Sequence, residues 1–187
     1  MQTLGVSEST PASESRLKAL FWPSVQSGAD VDYLGAQGYW VCSIVATISM
    51  LFLIATGSPV TGILTGLFFY LGGVGVRERS RYAAIIVFAY YLIDTLLLMQ
   101  LGVVRIILIA LLLSNVRATF IAANWNPGSE EAALPPRMDD TFGDKFADRF
   151  PQWLWPKVRI LYYAYSGIFL ALTLIGLVML RAKVAVD

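Results

Sequence analysis

The chain has no histidine and a single cysteine, Cys42, and only 14% of its 187 residues are charged. Without histidine, imidazole-ligated haem or zinc, imidazole acid–base catalysis and a Ser–His triad all lack a required residue. A disulfide framework lacks its second sulfur. The H-E-x-x-H and Walker A patterns do not occur, and there is no N-x-[ST] sequon. No pattern for a cofactor or a metal is present. Lys and Arg number 14 against 13 Asp and Glu, so no basic excess points to nucleic acid and no acidic excess to a solvating tail. Proline is missing where it would do harm: all eight, at 11, 23, 59, 127, 135, 136, 151 and 156, lie outside the long apolar runs, as expected of a residue that breaks helices.

What the chain has in abundance is apolar surface. Hydrophobic residues make up 57% and the mean hydropathy is +0.63, whereas an ordinary soluble domain has ~45–50% apolar residues. The expected surroundings are a lipid bilayer. From Tyr33 to Val76 no residue is charged, and since one span takes ~20 residues this block predicts helices at 38–56 and 60–76, joined at Gly57-Ser58-Pro59. A second block, Tyr82–Ala123, is interrupted by Asp94, Gln100-Leu101-Gly102 and Arg105. It predicts spans at 82–100 and 103–123. A final uncharged run, Ile160–Leu180, makes the fifth. Runs such as ILIALLL at 107–113 are apolar on every side, which excludes the alternation of a transmembrane β-barrel.

The fold expected is therefore an all-α integral membrane bundle of five transmembrane helices with added interfacial amphipathic helices. Four spans result if the Tyr82–Ala123 block crosses once. Residues 1–37 form a tail with an interfacial helix near Arg16–Val25, 38–123 hold four helices, 124–157 form a loop, and 158–187 carry the fifth helix and a short tail. Residues 1–16 lack the apolar core of a secretory signal. Arg77, Arg79 and Arg81 place their loop in the cytoplasm, which puts the N-terminus inside and, with five spans, the C-terminus outside. Arg181 and Lys183 run against that bias. Trp22, Trp40, Trp125, Trp153, Trp155, Tyr39, Tyr82, Tyr162 and Tyr163 fall at the cytoplasmic ends and read as headgroup anchors.

Asp94 and Arg105 stand out because a charge inside a span costs ~2.5–3.5 kcal/mol on insertion scales and usually faces protein. Reversal of the chain at Gln100–Gly102 brings the two onto neighbouring helices. Two readings stand, an ion or proton relay and a structural pair. Ser114, Asn115 and Arg117 near the end of the fourth span suit either a polar vestibule or lipid-phosphate site, or interhelical hydrogen bonds with an interfacial anchor. Gly62 and Gly66 form a small-xxx-small pattern for close helix packing, within the chain or with a second copy. In the 124–157 loop, Phe142, Phe146 and Phe150 recur every fourth residue beside Asp140, Asp144 and Asp148, an interfacial or partner-binding stripe on an amphipathic helix. Gly72-Gly73-Val74-Gly75 lacks the third glycine and the preceding strand of a nucleotide loop. Cys42 reads as a small buried residue.

Three stretches, LFWPSV (20–25), GVGVRERSRYAA (73–84) and LLLSNVRATFIAANW (111–125), carry an F-W-P-[ST] start, a basic R-E-R-S-R loop and an R-[AG]-T-[FW] exit. In these the chain resembles small bacterial multi-pass membrane proteins of unknown function. The resemblance implies a bacterial inner-membrane setting and brings no activity or site residue with it. The expected role is a non-catalytic accessory or scaffold protein with a membrane-protein partner or self-association. The alternatives are a small transporter or channel subunit using Asp94 and Arg105, and a lipid-binding or lipid-modifying protein.

Overall fold

In this computed structural model the structure describes residues 21–22, 28–97, 102–124 and 153–184. They form five helices, α1 (Gly28–Ala55), α2 (Pro59–Arg77), α3 (Arg81–Leu97), α4 (Val103–Ala123) and α5 (Leu154–Val184). No strand occurs among the described residues. Four of the helices, all but α3, are long and apolar enough to cross a membrane. α3 has 17 residues, about 26 Å of helix at 1.5 Å per residue. The Phe142/Phe146/Phe150 stripe, Trp125 and the Gln100-Leu101 pair lie outside the described residues, as does the interfacial helix apart from Phe21 and Trp22.

Two boundaries differ from the sequence expectation, each for a local reason. α1 begins at Gly28 rather than 38, and Asp32 near its start complements the helix dipole. α5 begins at Leu154 rather than near 160. Pro156 is its third residue, in the first turn, where the missing N–H breaks no helical bond.

The turns between α1, α2 and α3 share one design. After α1, the Gly57 N–H bonds the Ile54 carbonyl at 3.1 Å and the Ser58 N–H bonds the Leu53 carbonyl at 2.8 Å. Gly57 is left-handed at φ 86°. This is the Schellman closure that glycine favours, and Pro59 then opens α2 with a pre-set φ. After α2, the Arg79 N–H bonds the Val76 carbonyl and the Ser80 N–H the Gly75 carbonyl, both at 2.9 Å. Here the left-handed residue is Arg79, at φ 59°.

The contacts close α1 to α4 into a ring in chain order, α1 beside α2 and α4, α3 beside α2 and α4, while α5 packs outside the ring against α2 and α3. Glycines on α2 set these distances. A Cβ on Gly73 would come within 2.7 Å of Cys42 Cβ on α1, and one on Gly62 within 2.9 Å of the Met50 carbonyl oxygen. On the other side, a Cβ on Gly75 would meet Trp155 and Ala83 at 2.4–2.5 Å, and one on Gly72 would meet Val87 and Tyr162. The interior joins Tyr39, Phe68, Phe69, Val87, Tyr91, Leu112, Trp155, Tyr162 and Phe169, with Phe68 stacked on Phe169 at 5.2 Å between ring centroids. Tyr39, Trp155 and Tyr162 are thus buried, not headgroup anchors as their position along the chain suggests, because the glycines opposite leave room for rings. The outward residues are apolar: Ile48 and Phe52 on α1, Val60 and Ile63 on α2, Ile106 on α4, Ile168, Leu172 and Ile175 on α5.

Candidate functional site

The polar chemistry gathers at two opposite ends of the bundle. At the end formed by the start of α1, the end of α2 and the start of α5, Arg77 is 2% exposed and is the largest of the fully buried side chains. Its Nη1 donates to the Asp32 carbonyl oxygen at 3.1 Å and lies 3.5 Å from Asp32 Oδ1. Arg79 Nη2 donates to the same Oδ1 at 3.4 Å. A carboxylate shared by two guanidinium groups, at the seam of α1 and α2, ties the two helix ends together. Gly35 lies at this seam, where a Cβ would sit in ordinary contact, 3.6 Å from the Val76 carbonyl oxygen and 3.7 Å from that of Arg77.

The next residue joins α3 and α5 to the same end. Ser80 Oγ accepts from the Ala83 N–H at 3.4 Å, capping the start of α3, and lies 2.9 Å from the Tyr163 hydroxyl on α5. Arg81 lies over the Tyr82 ring, 5.2 Å from its centroid. Between these elements opens a pocket of about 350 Å³ lined by Glu78, Arg79, Ser80, Arg81, Tyr82, Ala123, Trp155, Arg159 and Tyr163. Three arginines line it against one glutamate.

At the opposite end, Arg105 Nη1 on α4 donates to Asp94 Oδ2 on α3 at 3.1 Å and to Thr95 Oγ1 at 3.4 Å. The Asp94 and Arg105 side chains remain 33% and 26% exposed. Thr95 is buried, and its hydroxyl donates to the Tyr91 carbonyl of its own helix at 2.8 Å.

The Ser114, Asn115 and Arg117 group is divided. Ser114 and Asn115 are buried, and Asn115 Nδ2 donates to the Leu111 carbonyl at 2.8 Å. A Cβ on Gly38 would come within 2.8 Å of Asn115 Oδ1, so the amide is packed on α1. Ser114 Oγ and Asn115 Oδ1 have no hydrogen-bond partner among the described residues. Arg117 instead lies over the Trp22 ring, 4.8 Å from its centroid, a cation–π contact that holds the segment before α1 against α4. Gly62 and Gly66 face α1, where Met50 meets both.

Sequence reasoning passed over Asp32, Arg77, Arg79, Ser80, Trp155, Arg159 and Tyr163 as site residues. The arginine loop reads as a topology signal only, and Asp32 as part of an acidic approach to the first span. The available signal was the conjunction of an acid at the start of one helix with an arginine at the end of its antiparallel neighbour. Among the described residues no group of three or more His, Cys, Asp or Glu side chains that could hold a metal ion is present. No protein-family model, no curated protein and no solved structure matches the chain, so no residue role is carried here from a relative.

Proposed function

We propose that the chain is a five-span protein of a bacterial cytoplasmic membrane, with its N-terminus in the cytoplasm and a non-catalytic accessory or scaffold role. The observation that carries this reading is the inversion of polarity. Large apolar side chains point outward along α1, α2, α4 and α5, and the charges lie at the two ends, where Asp32 engages Arg77 and Arg79 and Asp94 engages Arg105. In water such a surface would aggregate; in a bilayer it is solvated by acyl chains and the helices satisfy their own backbone. α3 counts as the remaining span because α2 and α4 both flank it in the ring. The basic turn Arg77-Glu78-Arg79-Ser80-Arg81 sets the cytoplasmic side.

A scaffold role rests on how the charges are used. Those inside the bundle brace helices against one another, and an aromatic interior fills the space between the two ends. Purification in a mild detergent should return a partner membrane protein or a self-associated form, and recovery of a lone monomer removes the scaffold role. Reporter fusions after Asp187 test the span count. A cytoplasmic signal there defeats the five-span arrangement.

The transporter reading keeps one supporting observation, the partial exposure of the Asp94–Arg105 pair. Liposome flux with the unaltered protein and with Asp94→Asn distinguishes it: no flux from the unaltered protein rejects it.

A further inference from the structure

We propose that the pocket between the α2–α3 turn and the start of α5 binds the phosphate of an anionic lipid headgroup. The inference rests on the membrane reading above. Four observations converge on it. The pocket holds about 350 Å³, some ten times the ~30 Å³ of a water molecule, which is room for a phosphate with its glycerol. Arg79, Arg81 and Arg159 reach it from the turn, from the first residue of α3 and from α5, and guanidinium forks match phosphate oxygens two at a time.

The third observation is where the turn places its donors. Ser80, Arg81 and Tyr82, at the start of α3, line the pocket, so it lies at the positive end of the helix dipole. Among the described residues no carboxylate lies within ion-pair distance of Arg81 or Arg159. Glu78, the one carboxylate in the lining, favours a singly charged phosphodiester over a dianion.

The fourth is the backbone of Arg79. A non-glycine residue in the left-handed region costs roughly 1–2 kcal/mol relative to its ordinary conformation, and a helix end of this type normally takes glycine. The turn keeps arginine there, and its guanidinium both holds Asp32 and lines the pocket. Local strain that a fold retains points to a use for the side chain. The exposed ring of Tyr82 on the rim suits the interface between headgroups and acyl chains.

The test uses the full chain in nanodiscs of phosphatidylcholine containing phosphatidylglycerol, with native mass spectrometry and thermal stability as readouts. The unaltered protein should retain phosphatidylglycerol and be stabilised by it over phosphatidylcholine. Arg81→Gln and Arg159→Gln, both at exposed positions, should each weaken retention about fivefold to tenfold, the order expected for losing one basic side chain near an anionic surface. Lys157→Gln, whose ammonium lies over Trp153 and does not line the pocket, should leave it unchanged. Equal retention of both lipids, or unchanged retention in both arginine variants, overturns the proposal. Stabilisation by millimolar inorganic phosphate or glycerol phosphate in pure phosphatidylcholine, matching that by the anionic lipid, assigns the pocket to a soluble phosphate and overturns the headgroup assignment. Alkaline carbonate extraction of native membranes separates the two failures: release of the chain defeats the membrane reading, and retention without lipid selectivity defeats only the site.

Discussion

Arg79 occupies the position after α2 that Gly57 occupies after α1: both are left-handed, at φ 59° and 86°, and both sit in the same pair of closing hydrogen bonds. Only one of them is suited to it. Replacing Gly57 by Ala should cost about 1–2 kcal/mol from the backbone alone, since no atom lies within 4 Å of the added Cβ. Arg79→Gly should be more stable than Arg79→Ala by about 1 kcal/mol, because both lose the guanidinium and only glycine relieves the turn. Thermal unfolding in detergent, comparing the two Arg79 variants, reads the difference directly; equal midpoints would show that the turn is unstrained.

Asp32→Asn should be the most damaging charge-removing change. It leaves Arg77 buried without its carboxylate, and breaking a buried pair from one side costs about 3–5 kcal/mol. Asp94→Asn, at a pair that keeps a quarter to a third of its side-chain surface open, should cost about 1 kcal/mol or less. Denaturation curves of the two variants side by side test the order, which reversal would overturn.

Gly62→Ala and Gly66→Ala should part company although both lie on one face of α2. The Gly62 Cβ would press on the Met50 carbonyl oxygen at 2.9 Å, which moves only with the α1 backbone, whereas the Gly66 Cβ would meet the Met50 side chain at 3.2 Å. The Met50 Sδ can swing aside, and the Met50 Cβ, also at 3.2 Å, needs to give by only a few tenths of an ångström. The Gly62 variant should therefore lose about 1–3 kcal/mol, the range of overpacking, and the Gly66 variant a fraction of that, as read from unfolding midpoints.

Trp155 anchors α5. Its ring fills the space opposite Gly75 and meets Tyr162 and Tyr163 at 5.8 and 6.3 Å between centroids. Trp155→Ala should cost about 3–5 kcal/mol and loosen α5 before the ring of α1 to α4. Limited proteolysis near the start of α5 should accelerate in this variant while cleavage elsewhere holds its rate.

Helix class and the positions of α2 and α4 were legible in the sequence, because long uncharged stretches without an internal proline leave little else for the chain to do. So was the closeness of Asp94 and Arg105, given by a turn between them. The buried end was not. Arg77 sits at the edge of an apolar run, where a solvated arginine is the ordinary expectation, and the start of α1, with Asp32, encloses it. The aromatic residues misled for a related reason: Tyr39, Trp155 and Tyr162 have the sequence positions of interfacial anchors, and whether a ring faces lipid or protein depends on what stands opposite. The run Gly72-Gly73-Val74-Gly75 was the overlooked clue, since three glycines in four residues of a helix make a surface against which large rings can lie.

The early charge in α3 has a consequence for a bilayer around the proposed spans. Between Arg81 and Asp94 it offers twelve uncharged residues, about 18 Å of rise, against a hydrocarbon thickness of ~30 Å. α5 runs for 31 residues beside it. In the five-span arrangement proposed above, apolar stretches so unequal in length would create hydrophobic mismatch within the protein's own circumference, met by thinned lipid on one side and a tilted helix on the other. Acyl chain length should then act on this protein as a variable in its own right, with thinner membranes favouring the state in which Asp94 and Arg105 reach the headgroups.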